Sequence, residues 1–229
     1  MMKKVKERRK PKKVGDLEKV GDITRGPQVL CGGTVDVLVG TDKQLFAIHE
    51  TLARKASAFF DKALSGLWKE ANRRTIELPD DDPRIFGLFV SWLYFLTIPT
   101  NIDDDDEKKS LKWIELAKVY VLGDRLLCPH FKNAAVDAIV EKSSLEASQD
   151  GDPCPDGVAI WYIYRHSIKD ALIRKLMVDL CVCFGTPELL DWNDKSFIPH
   201  SFVVDLAGAL LAGDLFRRSK PIFTLRYYT

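Results

Sequence analysis

The sequence predicts an α+β fold, a small β-sheet flanked by α-helices with additional helices toward the C-terminal end, and three observations carry this reading. The run TVDVLVG, Thr34–Gly40, is dense in β-branched residues, and QLFAIH, Gln44–His49, alternates polar with apolar side chains. With Thr41, Asp42 and Lys43 as the turn between them, the two runs predict a hairpin. From Glu50 the period changes: Leu52, Ala56, Phe59, Phe60, Ala63 and Leu64 recur at three- and four-residue steps, which predicts one amphipathic helix stopped by Gly66. Several longer runs with the same spacing follow after residue 110.

Taken in order, RRTIELP predicts a short strand over Thr75–Leu78. A helix starts next, capped by Asp81 or Asp82, with Pro83 at the first helical position, where the missing N–H would have had no partner anyway. Its apolar face is Ile85, Phe86, Phe89, Val90, Leu93 and Tyr94. IDDDDEKK, Ile102–Lys109, reads as a solvated charged loop; the adjacent aspartates lack the ligand spacing and the glycine of an EF-hand, so no cation site is expected. SLKWIELAKVYVLGDRLL and CPHFKNAAVDAIVEKS predict two more helices, the second with Pro129 in its first turn. SQDGDPCPDG, Ser148–Gly157, is a break. Beyond it VAIWYIYRHS, DALIRKLMVDLCVCFG and HSFVVDLAGALLAGDLFRR read as helices, and PIFTLRYYT as an aromatic tail. These helices are too apolar to stand alone in water, so they must pack on the preceding domain, on each other or on a partner.

At 229 residues, 46% hydrophobic and 29% charged, the chain fits a soluble globular protein of one domain with an appendage or two small domains. No apolar run approaches the roughly 20 residues needed to span a bilayer, and the N-terminus lacks the apolar region of a signal peptide. An intracellular protein, nuclear or cytoplasmic, with no membrane partner is expected. Cys31, Cys128, Cys154, Cys181 and Cys183 are odd in number and show no zinc spacing, so they read as reduced thiols, mostly buried. Residues 1–31 read as a flexible basic tail. Lys3 to Lys13 hold eight basic residues and one acidic, a net of +7 that leaves about −6 for the rest of a chain whose total is +1. Lys3, Lys4, Arg8, Arg9, Lys10, Lys12 and Lys13 are the candidate nuclear signal, with a solvated leader as the alternative. No aromatic residues interleave with these charges to stack bases, so specific nucleic-acid binding is not expected.

His49, His130, His166 and His200 lie far apart and in no metal-binding spacing, and no GxSxG elbow, phosphate-cradling loop or GxGxxG is present. The reading is a protein without catalysis, cofactor or metal. His49 sits where the strand hands over to the helix, and a structural role is expected there, with a ring nitrogen donating to backbone carbonyls of the turn.

The order of these signals resembles the BTB/POZ family. VDVLVG followed by FAIHETLARKASAFFDKAL is similar to the opening of that domain, an Asp-Val strand, then Phe-x-x-His, then Leu, Ser and Phe at set intervals. The matching positions are Asp36, Val37, Phe46, His49, Leu52, Ser57, Phe59 and Phe60. The likeness continues through TIELPDDDPRIFGLFVSWLYFLTI and LAKVYVLGDRLLCPHFKNAAVDAI, to about Val140. DDDPRIFGLFVSWLY and IYRHSIKDALIRKLMVDLCV resemble the fungal-type branch, which carries a helical extension. The resemblance implies a BTB/POZ domain over 32–140, a helical extension over 141–229, and protein–protein interaction as the function. Its partners would be itself, other BTB proteins or, for a substrate adaptor of a ubiquitin ligase, a cullin. In such adaptors a hydrophobic-x-Glu motif follows the amphipathic helix; here Trp68, Lys69 and Glu70 occupy that place, and Trp68 and Glu70 are the candidate partner-binding residues. GDITRGPQVLCGG holds too many glycines and a proline for the extra first helix of self-swapping members, and no kelch repeat, MATH domain or zinc-finger array is present.

Overall fold

The computed structural model describes residues 32–65, 74–98, 101–104, 107–149, 151–186 and 198–212. The predicted hairpin forms from β1 (Thr34–Val39) and β2 (Gln44–His49), antiparallel, with Val37 opposite Phe46. Lys43, with φ of 52°, and Gly40, with φ of 77°, make the turn. β3 (Thr75–Leu78) joins the other side of β1 in parallel, so the mixed sheet runs β2–β1–β3. Along β1, Val35, Val37 and Val39 are fully buried, Thr34 and Asp36 face out and Leu38 is half-buried, so one face of the strand carries the core.

The single helix expected after β2 is two helices, α1 (Glu50–Ala56) and α2 (Ala58–Leu64), broken at Ser57. Ser57 takes extended backbone angles, and its hydroxyl accepts from the Phe60 N–H at 3.2 Å while donating to the Leu126 carbonyl at 2.5 Å. A buried serine with two partners re-aims the chain where the apolar spacing alone would have continued it.

α3 (Pro83–Phe95) begins as read, with Pro83 first and Asp82, rather than Asp81, as the cap, accepting from the Arg84 N–H at 3.0 Å. Leu96 ends it in the left-handed conformation, its N–H on the Trp92 carbonyl. The charged stretch expected to be a loop is a two-stranded hairpin, β4 (Asn101–Asp104) and β5 (Glu107–Ser110). The two strands pair antiparallel, with Asp103 opposite Lys108 and Asp104 opposite Glu107.

α4 (Trp113–Arg125) packs against α3 and α5 (Pro129–Ser148) and is buried on nearly every side, from Trp113 to Gly123. A Cβ at Gly123 would lie 2.9 Å from Lys132 Cγ and 3.2 Å from a Phe131 ring carbon, so glycine permits the α4–α5 approach. α5 runs without interruption through residue 140 to Ser148. After the break come α6 (Gly157–His166), α7 (Leu172–Phe184) and α8 (His200–Leu211). α6 lies on α4, α7 on α6, and α8 on both α7 and α6. Ile160, Ile163, Ile173, Leu176, Leu180 and Phe202 are fully buried there and continuous with the core of the sheet and α3.

Candidate interaction surface

The residues singled out along the first strand-helix stretch fall into two groups. Leu52, at 1% exposure, and Ser57 are core, and Phe46 and Phe59 are half-buried against it, each edge-on to a neighbouring ring, Phe86 at 5.1 Å and Phe60 at 5.4 Å. Asp36 faces out, and its backbone N–H, bonded to the Arg74 carbonyl at 2.9 Å, contributes to the ladder. His49 differs from expectation: its partner is a side chain. Its Nδ1 lies 2.8 Å from the Tyr94 hydroxyl, and its own backbone N–H donates to the same oxygen at 3.2 Å. The Tyr94 hydroxyl sits 45 residues away in sequence, so local spacing could not have revealed it. This pairing fastens the end of β2 to the last turn of α3.

Trp68 and Glu70 lie outside the described residues, as do Lys3, Lys4, Arg8, Arg9, Lys10, Lys12 and Lys13. On α1 and α2 the structure shows a surface cleft of about 430 Å³ lined by Glu50, Thr51, Arg54, Lys55 and Asp61. Arg54 organises it. Its Nε donates to Asp61 Oδ1 at 2.9 Å, and its terminal nitrogens reach Glu50 Oε1 at 3.3 Å and Ser65 Oγ at 2.6 Å. Arg74 reaches the second Glu50 oxygen at 3.3 Å. The Glu50–Arg54 half was legible as an i, i+4 pair, whereas Asp61 comes close only because Ser57 breaks the helix.

Two apolar features flank this body. Among the described residues β2 is an edge of its sheet, and Leu45 on it is 58% exposed; at the end of α3, Phe95 is 73% exposed. An open edge and outward apolar side chains are what a protein partner uses. Burial pushes the Cys128 thiol up to about 12, so it is protonated at neutral pH and a poor nucleophile. Among the described residues no group of three His, Cys, Asp or Glu side chains could hold a metal ion, and no helix is long and apolar enough to cross a membrane.

The family model of the BTB/POZ domain matches residues 27–143, the stretch that holds this sheet and α1 to α4. The chain belongs to the BTB/POZ family. Curated proteins give no match to it. The BTB/POZ domain is a non-catalytic protein–protein interaction module that mediates homo- or heterodimerisation, and the mixed three-stranded sheet with eight described helices is that domain plus additional C-terminal helices. The family match ends at residue 143, inside α5, which carries on into the C-terminal part as one helix.

Proposed function

We propose that this BTB/POZ protein is a non-enzymatic scaffold that joins protein partners, first of all a second BTB domain. The observation that carries this reading is the β2 edge, unpaired among the described residues, with Leu45 exposed on it, on a domain whose family works by pairing. Sedimentation velocity over a dilution series tests it. Reversible dimerisation that Leu45→Lys abolishes while melting stays unchanged is the expected result; a monomer at every concentration removes self-pairing from the reading.

A second reading is a substrate adaptor of a cullin-based ubiquitin ligase, supported by the surface cleft on α1 and α2, which precede the Trp68-Lys69-Glu70 motif in the sequence. Calorimetric titration against the N-terminal domain of a BTB-binding cullin, with Trp68→Ala and Glu70→Ala beside the wild type, decides it. Micromolar binding lost in both variants supports the adaptor; no heat with wild type removes it. The stretches DDDPRIFGLFVSWLY and IYRHSIKDALIRKLMVDLCV support placement in the fungal-type branch, with the helices from about residue 141 as its extension. The basic run from Lys3 to Lys13 supports nuclear entry, and a chain lacking residues 1–13 that localises as the wild type does would remove that role.

A further inference from the structure

Two buried thiols meet on the C-terminal side of the molecule. Cys154 lies in the segment between α5 and α6, Cys181 lies on α7, and their Sγ atoms are 3.3 Å apart with each residue 5% exposed. An S–S bond is about 2.05 Å long, so closure asks for a shift of roughly 1 Å. Cys154 is the side not held in a helix. Its N–H is held by Asp152 Oδ1 at 3.1 Å, and the neighbouring Pro153 carbonyl accepts from Ser143 Oγ at 2.8 Å. Cys181, by contrast, is fixed in the last turns of α7.

We propose that Cys154 and Cys181 are an intramolecular disulfide site, closed by exchange with a small disulfide such as oxidised glutathione, that staples the segment after α5 to α7. When the segment opens, the Cys154 thiolate attacks one sulfur of glutathione disulfide, forming a mixed disulfide and releasing one glutathione thiolate. The Cys181 thiolate then attacks the Cys154 sulfur, forming the protein disulfide and releasing the second. Two protein thiols are oxidised and one glutathione disulfide is reduced, the two electrons and two protons passing to the two glutathione thiols. With the segment closed, the hydrogen bond to Cys154 and burial both hold the Cys181 thiol protonated, so opening sets the rate. The bond closes a ring around all of α6 and ties it to α7. The disulfide therefore holds α7 against the segment that follows α5.

The test uses the full chain, reduced, freed of reductant, incubated with glutathione disulfide, alkylated and mapped by mass spectrometry without reduction. A peptide joining Cys154 to Cys181, lighter by two hydrogens, is expected, with a melting midpoint higher by roughly 5–10 °C that dithiothreitol reverses. Cys154→Ser and Cys181→Ser should each lose the shift. If either variant fails to fold, the wild-type map decides alone: both residues recovered as alkylated or glutathionylated thiols, or Cys181 joined instead to Cys183, overturns the proposal.

Discussion

In the part of the molecule before residue 149 the packing is ring against ring. Phe89 on α3 stacks on Phe60 of α2 at 6.0 Å, meets Phe131 of α5 at 5.2 Å, and lies beside Phe86 and Trp92. After residue 149 the buried side chains are mostly aliphatic; the Tyr164 ring meets Phe202 edge-on at 5.5 Å between α6 and α8, and polar bonds accompany it. The Tyr164 hydroxyl donates to Asp205 at 2.9 Å, joining α6 to α8, and Arg174 donates to the Tyr164 carbonyl at 2.6 Å and to the Ser167 carbonyl, closing the end of α6. An aromatic cluster is many-sided, so it resists loosening at any one point, whereas directional bonds between helices can be released one at a time. The two regions share one core, and they differ in how finely they can be weakened.

The harshest way to break the comparison is to separate its halves. A chain ending at residue 149 keeps α5 whole, which a cut at 140 would not, yet it removes α6 from α4. It should aggregate or lose its cooperative urea transition, because one side of a helix buried all round becomes wet. A sharp transition with the wild-type midpoint would show that the halves fold separately. Next comes Phe89→Ala, expected to lower unfolding free energy by about 3–5 kcal/mol through lost contacts and a cavity. Ser57→Ala removes a buried donor from Leu126 and the cap of α2 together, and about 2–3 kcal/mol is the expected loss by the same urea measurement. Tyr164→Phe should cost about 1 kcal/mol and leave the body unchanged, since Asp205 is exposed and water replaces its partner. Amide exchange sharpens this last point: faster exchange confined to α6 and α8 is expected, and acceleration spreading to α3 would erase the contrast.

The smallest effects belong to two adjacent carboxylates before α3. Burial pushes Asp81 above the ordinary range despite its 2.7 Å ion pair with Arg125; desolvation outweighs the pair because the Asp81 side chain is 8% exposed while Arg125 is 51% exposed. Burial opposes Asp82 too, but hydrogen bonds from Lys118 and the Arg84 amide win and hold it below that range. The signs are therefore opposite. Asp82 stabilises the fold above the pKa of a free carboxylate, about 4, and this contribution is lost as pH falls through its lower folded value. Asp81 binds its proton more tightly folded than unfolded, so its contribution improves as pH falls. Asp82→Asn should lower the melting midpoint at pH 7, by less than the Tyr164 change, and Asp81→Asn should not lower it. Equal losses in the two would show that the ion pair outweighs burial.

What the sequence made legible was local. The hairpin, β3, the Pro83 start of α3 and the later helices all announce themselves within a few residues, through β-branched runs, caps and period. What it hid was distant. The break at Ser57 depends on the Leu126 carbonyl 69 residues on, and the role of His49 depends on Tyr94, so the spacing of Leu52 to Leu64 looked like one helix. The cleft around Arg54 was half legible for the same reason. The acidic run was read by composition as a loop, which overlooked that its basic continuation could fold back on it. The Cys154–Cys181 contact crosses 27 residues with no sequence motif to mark it. Trp68 and Glu70 lie outside the described residues, so the adaptor motif stands on the resemblance that suggested it.

The enclosure of α4 bears on how this protein could be recombined. A chimera that borrows the matched family segment, residues 27–143, would carry α4 with one wall stripped and α5 cut five residues short of its end at Ser148. Grafting it elsewhere would call for resurfacing α4 with polar side chains or for taking the last three described helices along as ballast.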